Sequence, residues 1–131
     1  MFEIKVKSDI ASAHQLHGYD GPCKNVHGHT WKVEAVVESN QLDQIGMVVD
    51  FKILKKQLKE VLDPIDHVFL NELPAFKDIP PSTENIAKYI YREFAKVCLP
   101  ANQQTRQAGQ PIKLKQVEVW ESESASVVFK E

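Results

Sequence analysis

Phe2, Ile4 and Val6 alternate with Glu3, Lys5 and Lys7, the period-two signature of a strand buried on one face. The alternation drifts through Ser8-Asp9-Ile10 and resumes at Ala11-Ser12-Ala13-His14, which predicts a long strand with a bulge. Residues 17–26 hold two Gly and one Pro and read as a loop. A second strand runs from His27 to Glu38, with Trp31, Val33, Ala35 and Val37 on one face, and residues 39–46 form a polar turn. Asp50 is a favoured N-cap for a helix. Phe51, Leu54, Leu58, Val61 and Leu62 repeat at helical spacing, with four lysines opposite, until Pro64. Residues 65–71 are ambiguous. Pro80-Pro81 followed by Ser82 or Thr83 as cap opens a second helix along Ile86, Ile90, Phe94 and Val97, closed by Pro100. The polar, Gln-rich residues 101–111 read as a solvated loop. Strands over 112–121 and Ala125 to Phe129 complete the chain.

The order β-β-α-α-β-β predicts an α+β fold, an antiparallel sheet with both helices on one face. Val36-Val37 and Val127-Val128 put apolar residues on both sides of their strands, so the second face is expected to be covered in a homo-oligomer. The length predicts one domain over residues 1–131, enough to bury about two thirds of its unfolded surface.

A net charge of −2 gives no reason to propose nucleic acid as a partner, and Arg92 and Arg106 are the only arginines among 16 basic residues. No apolar run is long enough to span a bilayer. Strand-like alternation begins at the first residues with no secretory pattern, so a cytoplasmic protein is expected. Cys98, near the end of the second helix, reads as a small buried hydrophobe.

The chemistry concentrates at His27-Gly28-His29. Residues two apart on a strand face the same way, so two imidazoles aim at one point, with Gly28 removing bulk between them. His14 ends the first strand, and antiparallel neighbours converge across a hairpin. Three imidazoles with one open position suit a catalytic zinc; the plain alternative is three unconnected histidines. His17 is a spare imidazole in the loop. Cys23, four residues before His27, is a nucleophile, a general base or a fourth zinc ligand, the last making the site closed and structural. Asp66-His67 pairs an imidazole with a carboxylate able to fix its tautomer. Glu121 is a solvated strand-end charge or a bidentate acceptor for the N–H groups of a purine- or pterin-like base. Thr83-Glu84-Asn85 is helix-start chemistry by default.

Taken together, Ala11-Ser12-Ala13-His14-Gln15-Leu16, Cys23-Lys24-Asn25-Val26-His27-Gly28-His29, Val49-Asp50-Phe51, Ile65-Asp66-His67-Val68-Phe69-Leu70-Asn71, Ser82-Thr83-Glu84-Asn85-Ile86-Ala87 and Val117-Glu118-Val119-Trp120-Glu121 resemble the 6-pyruvoyl-tetrahydropterin synthase/6-carboxytetrahydropterin synthase family over nearly the whole chain. The resemblance implies the tunnelling fold, trimers or dimers of trimers, and active sites between subunits. It implies zinc on His14, His27 and His29, with Cys23 as the proton-abstracting thiolate and Asp66 and His67 as a second acid/base unit. Glu121 would anchor the pterin and join the proton relay. Thr83 and Glu84 would be secondary substrate contacts from across an interface.

The substrate so implied is 7,8-dihydroneopterin triphosphate. Only Lys-Asn-Val separates Cys23 from His27, which resembles the carboxy-type enzymes that form 6-carboxy-5,6,7,8-tetrahydropterin for queuosine synthesis. A pyruvoyl product and a non-catalytic pterin-binding module are the alternatives. Lys24, Lys52, Lys113 and Lys115 are triphosphate candidates by charge alone.

Overall fold

The computed structural model describes residues 1–21, 24–98 and 112–131. The expectations for Cys23 and for the loop over 101–111 lie outside the described residues. β1 (Phe2–His14) and β2 (His27–Ser39) pair antiparallel over their whole length. β3 (Lys113–Ser122) adds to β2 and β4 (Ala125–Phe129) to β3, giving the sheet order β1-β2-β3-β4. α1 (Phe51–Leu62) and α2 (Thr83–Cys98) share one core with the sheet, α1 against β1 and α2 against β3 and β4. That core takes Val6, Ile10, Trp31, Val33, Val117 and Val119 from the strands and Leu54, Leu58, Ile86, Ile90 and Phe94 from the helices. Cys98 is buried within it.

The bulge expected at Ser8–Ile10 does not occur. β1 keeps one register with β2 from Phe2↔Ser39 to His14↔His27. Ser8 has the same parity as the buried Val6 and Ile10, so a small polar residue, not a change of phase, interrupts the apolar pattern. The irregularities fall instead between Val36 and Val37 and between Trp120 and Ser122. The second leaves Glu121 as the unpaired extra residue in the β3–β4 ladder.

Asp50 caps α1, its carboxylate accepting from the Lys52 N–H at 2.8 Å. Phe51 shares the helical phase of Leu54 and Leu58 but is exposed at the first turn, not part of the core as its spacing suggested. Of the two caps expected for α2, Ser82 takes the role: its hydroxyl accepts from the Asn85 N–H and its carbonyl from the Ile86 N–H.

The ambiguous residues 65–71 lie in a chain of 3-10 turns that begins with Asp63–Ile65 and Leu70–Glu72. They are pinned to the free edge of β1. The His67 N–H donates to the Ala11 carbonyl at 2.7 Å, the Ala13 N–H to the Val68 carbonyl at 2.9 Å, and Phe69 forms a parallel bridge with Ala13.

The sheet face away from the helices carries Val36 and Val128, as expected, together with charged residues. Buried Glu34 is flanked there by Lys5 and Lys7 at 3.6 and 3.5 Å, and the Lys7 ammonium sits 5.7 Å from the Trp120 ring centre. Val36 is buried within the chain itself and Val128 is half-exposed. Among the described residues, no helix is long and apolar enough to cross a membrane.

Candidate metal centre and acid/base dyad

Register places the histidines. His14 sits opposite His27, and His29 opposite Ser12. All three share the parity of Ile10 and Trp31, the core pair one step further in. The imidazoles therefore meet at the open end of the inner face, with ring centres 4.4 to 5.2 Å apart. Trp31 forms the floor, edge-to-face with His14 and His29 at 5.0 Å.

Two backbone carbonyls fix the tautomers. His14 Nδ1 lies 2.7 Å from the Pro81 carbonyl oxygen, and His27 Nδ1 lies 2.7 Å from that of Asn25. A carbonyl only accepts, so each Nδ1 carries the proton and each neutral ring presents its Nε2 lone pair. Those Nε2 atoms face each other at 2.8 Å, a repulsive arrangement unless a cation is shared between them. His29 Nε2 is buried with no hydrogen-bond partner among the described residues. It lies 3.1 Å from Glu121 Oε1, and that contact is out of line for a hydrogen bond. Burial lowers the pKa of both His14 and His29, partly offset by the Pro81 carbonyl at His14 and by Glu121 at His29. Both effects of burial favour neutral imidazoles, the form that binds metal. The donor atoms of His14, His27, His29 and Glu121 all lie within 4.8 Å of one another, a group able to hold a metal ion. Three imidazoles, two of them with fixed tautomers and facing lone pairs and the third with an orphaned ring nitrogen, fit zinc.

Glu121 has the strand parity of the buried Val117 and Val119, which turns it toward the cluster, and Thr83 holds it: the Thr83 hydroxyl donates to Glu121 Oε2 at 2.8 Å. This contact lies within one chain. Glu84, the next residue, is exposed on the first turn of α2. His17 is exposed and outside the cluster. Asn71 clamps the end of β1, accepting from the Gln15 N–H and donating to the Gln15 carbonyl, both at 2.8 Å. Lys115 is paired with Glu3 and Glu38, whereas Lys24, Lys52 and Lys113 are exposed.

Asp66 and His67 form a pair but stand apart from the cluster. His67 Nδ1 is 2.9 Å from Asp66 Oδ1. The Ala11 N–H donates to the same carboxylate at 2.9 Å and, with His67, holds its pKa below the ordinary range. The His67 side chain is 79% exposed, so its imidazole is open to a reactant or a second chain. It borders an open cleft of about 590 Å³ lined by residues 11–13, 28–30 and 67–69. Ala11, Ala13, Gly28 and Thr30 have the strand parity opposite to that of the three metal-competent histidines.

Gly28 opens onto that cleft. A Cβ there would meet only the Ser12 carbonyl oxygen, at an ordinary 3.6 Å, so the histidine pair does not require glycine. Gly28→Ala is expected to preserve stability or raise it by roughly 0.4–1 kcal/mol through the unfolded state. Urea denaturation checks this; a loss of more than about 1 kcal/mol would mean that something else fills the space.

Sequence reading missed three parts of the centre. Pro81 signalled only a helix start, yet its carbonyl sets the His14 tautomer. Asn25 acts through its backbone, which no side-chain motif reveals. Trp31 read as ordinary core.

The sheet, the two helices on one face and the histidine-lined end define a tunnelling-fold protein. A structure of 6-pyruvoyl tetrahydropterin synthase from Caenorhabditis elegans superposes with a TM-score of 0.83 at 26% identity, over 99% of this chain and 95% of that one. A family model described as 6-pyruvoyl tetrahydropterin synthase matches residues 3–131, and the chain belongs to that family. It is 35% identical to the human 6-pyruvoyl tetrahydrobiopterin synthase over 114 residues, covering 84% of this chain and 71% of that protein. It is 44% identical over 75 residues to the 6-carboxy-5,6,7,8-tetrahydropterin synthase of Haemophilus influenzae, covering 53% of this chain and about half (52%) of that relative.

Proposed function

We propose that this pterin synthase-family chain is a zinc enzyme that converts 7,8-dihydroneopterin triphosphate to 6-carboxy-5,6,7,8-tetrahydropterin, acetaldehyde and triphosphate, on the route to queuosine. The observation that carries the zinc reading is the facing pair of Nε2 lone pairs with both Nδ1 protons tied to carbonyls. The three-residue gap between Cys23 and His27 supports the carboxy branch.

His14, His27 and His29 would hold the ion, which supplies Lewis-acid polarisation of the substrate's side-chain hydroxyls. Cys23, four residues before His27 in the sequence, takes the carbon-bound proton as thiolate. His67 moves a second proton through its imidazole; Asp66 accepts from its Nδ1–H and stabilises the imidazolium that forms. Glu121 receives the N–H groups of the pterin, with Thr83 fixing the direction of its carboxylate. Because Asp66 and His67 stand apart from the three histidines, the reading includes a site completed by a second copy of the chain, in a trimer or a dimer of trimers.

Mass spectrometry of products formed by the zinc-loaded protein tests the branch. Carboxytetrahydropterin with acetaldehyde is the expected outcome. A pyruvoyl product, which the identity to the human enzyme favours, would overturn the branch and keep the site. No turnover by zinc-loaded protein would leave a pterin-binding module.

A further inference from the structure

We propose that Ser12 is a positioning residue for His67. The proposal rests on the acid/base role given above to Asp66 and His67. His67 has φ = 57°, in the left-handed region that a non-glycine residue occupies only when its surroundings hold it there. The hydroxyl of Ser12 spans that turn. It donates to the Ile65 carbonyl at 2.6 Å and accepts from the Val68 N–H at 3.2 Å, so one oxygen ties down both sides of His67. The other bonds to this segment use only the backbone of residues 11 and 13; of the three, Ser12 alone contributes a side chain.

Core packing does not account for a serine here. Ser12 is buried, with the inward parity of Ile10 and His14, where alanine would fill the small space without a hydroxyl to satisfy. A buried hydroxyl is costly unless bonded; this one is used as donor and as acceptor. It also sits directly opposite His29 and two residues before His14. The stretch of β1 that aims the metal-competent histidines therefore also fixes the acid/base turn on its edge. Ser12 acts through His67 and not on the reactant.

Ser12→Ala tests this in the zinc-loaded protein. The expected result is unchanged zinc stoichiometry and kcat lower by about 10- to 100-fold. KM should hold within about threefold, and backbone amide exchange at His67 and Val68 should speed up at least tenfold. Ser12→Thr, which keeps the hydroxyl, is expected to restore both readouts. Ser12→Cys, with its weaker hydrogen bonding, should fall between and carries the test if the Ala protein does not fold. Wild-type kcat in Ser12→Ala, unaltered exchange at Val68, or wild-type behaviour of Ser12→Cys in both readouts would overturn the proposal. So would loss of zinc in Ser12→Ala, which would tie Ser12 to the metal strand alone. If His67→Ala keeps full turnover, the acid/base reading falls instead; amide exchange still reports whether Ser12 holds the turn.

Discussion

His14→Ala is expected to abolish tight zinc binding and reduce turnover to background. His14 is the keystone of the cluster: 1% exposed, tied by Nδ1 to the Pro81 carbonyl, and 2.8 Å from His27 through Nε2. Removing it leaves two imidazoles and Glu121, with His29 Nε2 still lacking a hydrogen-bond partner. The fall in affinity should exceed the 10- to 100-fold typical of losing an outer-shell partner. Competition with a chromophoric chelator measures it directly. Thermal unfolding gives an independent readout, since a ligand at about 1,000 times its Kd stabilises by roughly 4 kcal/mol. Zinc should raise the melting temperature of the wild type and not that of His14→Ala. Cys23→Ala provides the contrast: zinc retained, turnover lost. Full zinc occupancy in His14→Ala would remove the basis of the metal reading, and zinc lost with Cys23 would make that thiol a structural ligand.

The parts of this architecture that depend on strand parity and helix punctuation were legible in the sequence. His27 and His29 share a face because strands alternate, and His14 meets them because one unbroken register runs from Phe2 to His14. Asp50 caps α1 because an extended aspartate precedes an apolar stripe. Phase errors arose where a residue's chemistry contradicted its geometry. Ser8 is polar but inward and suggested a bulge; Phe51 is apolar but exposed and suggested core. The real bulge at Glu121 left no local mark, because it depends on how β3 meets β4. The docking of residues 65–69 onto β1 joins positions 53 to 56 apart in sequence. A short segment with no periodicity carries no signal of such a partner.

Mixing two inactive variants should restore activity. His67→Ala is expected to keep zinc and lower kcat by about 10²- to 10⁴-fold, the range for losing a general acid or base. His14→Ala loses the metal. If each site draws its metal ligands from one chain and its acid/base dyad from another, co-assembled His14→Ala and His67→Ala chains contain some sites with neither defect. Sites with both defects arise as well, so recovery should reach a fraction of wild-type activity and depend on the mixing ratio. If one chain supplied every group, each site in the mixture would carry one defect and no recovery would appear. The geometry favours the first outcome. The cluster of metal-competent side chains contains His14, His27, His29 and Glu121 but neither Asp66 nor His67. His67 is largely exposed, beside a cleft lined by Ala11, Ala13, Gly28 and Thr30, of the parity opposite to the cluster, and also by Ser12 and His29. Co-refolding the two variants with zinc and assaying pterin turnover across mixing ratios separates these outcomes. Absence of recovery, with mixed assemblies verified by native mass spectrometry, would place the whole reaction within one chain and require His67 to reach the cluster by moving its turn.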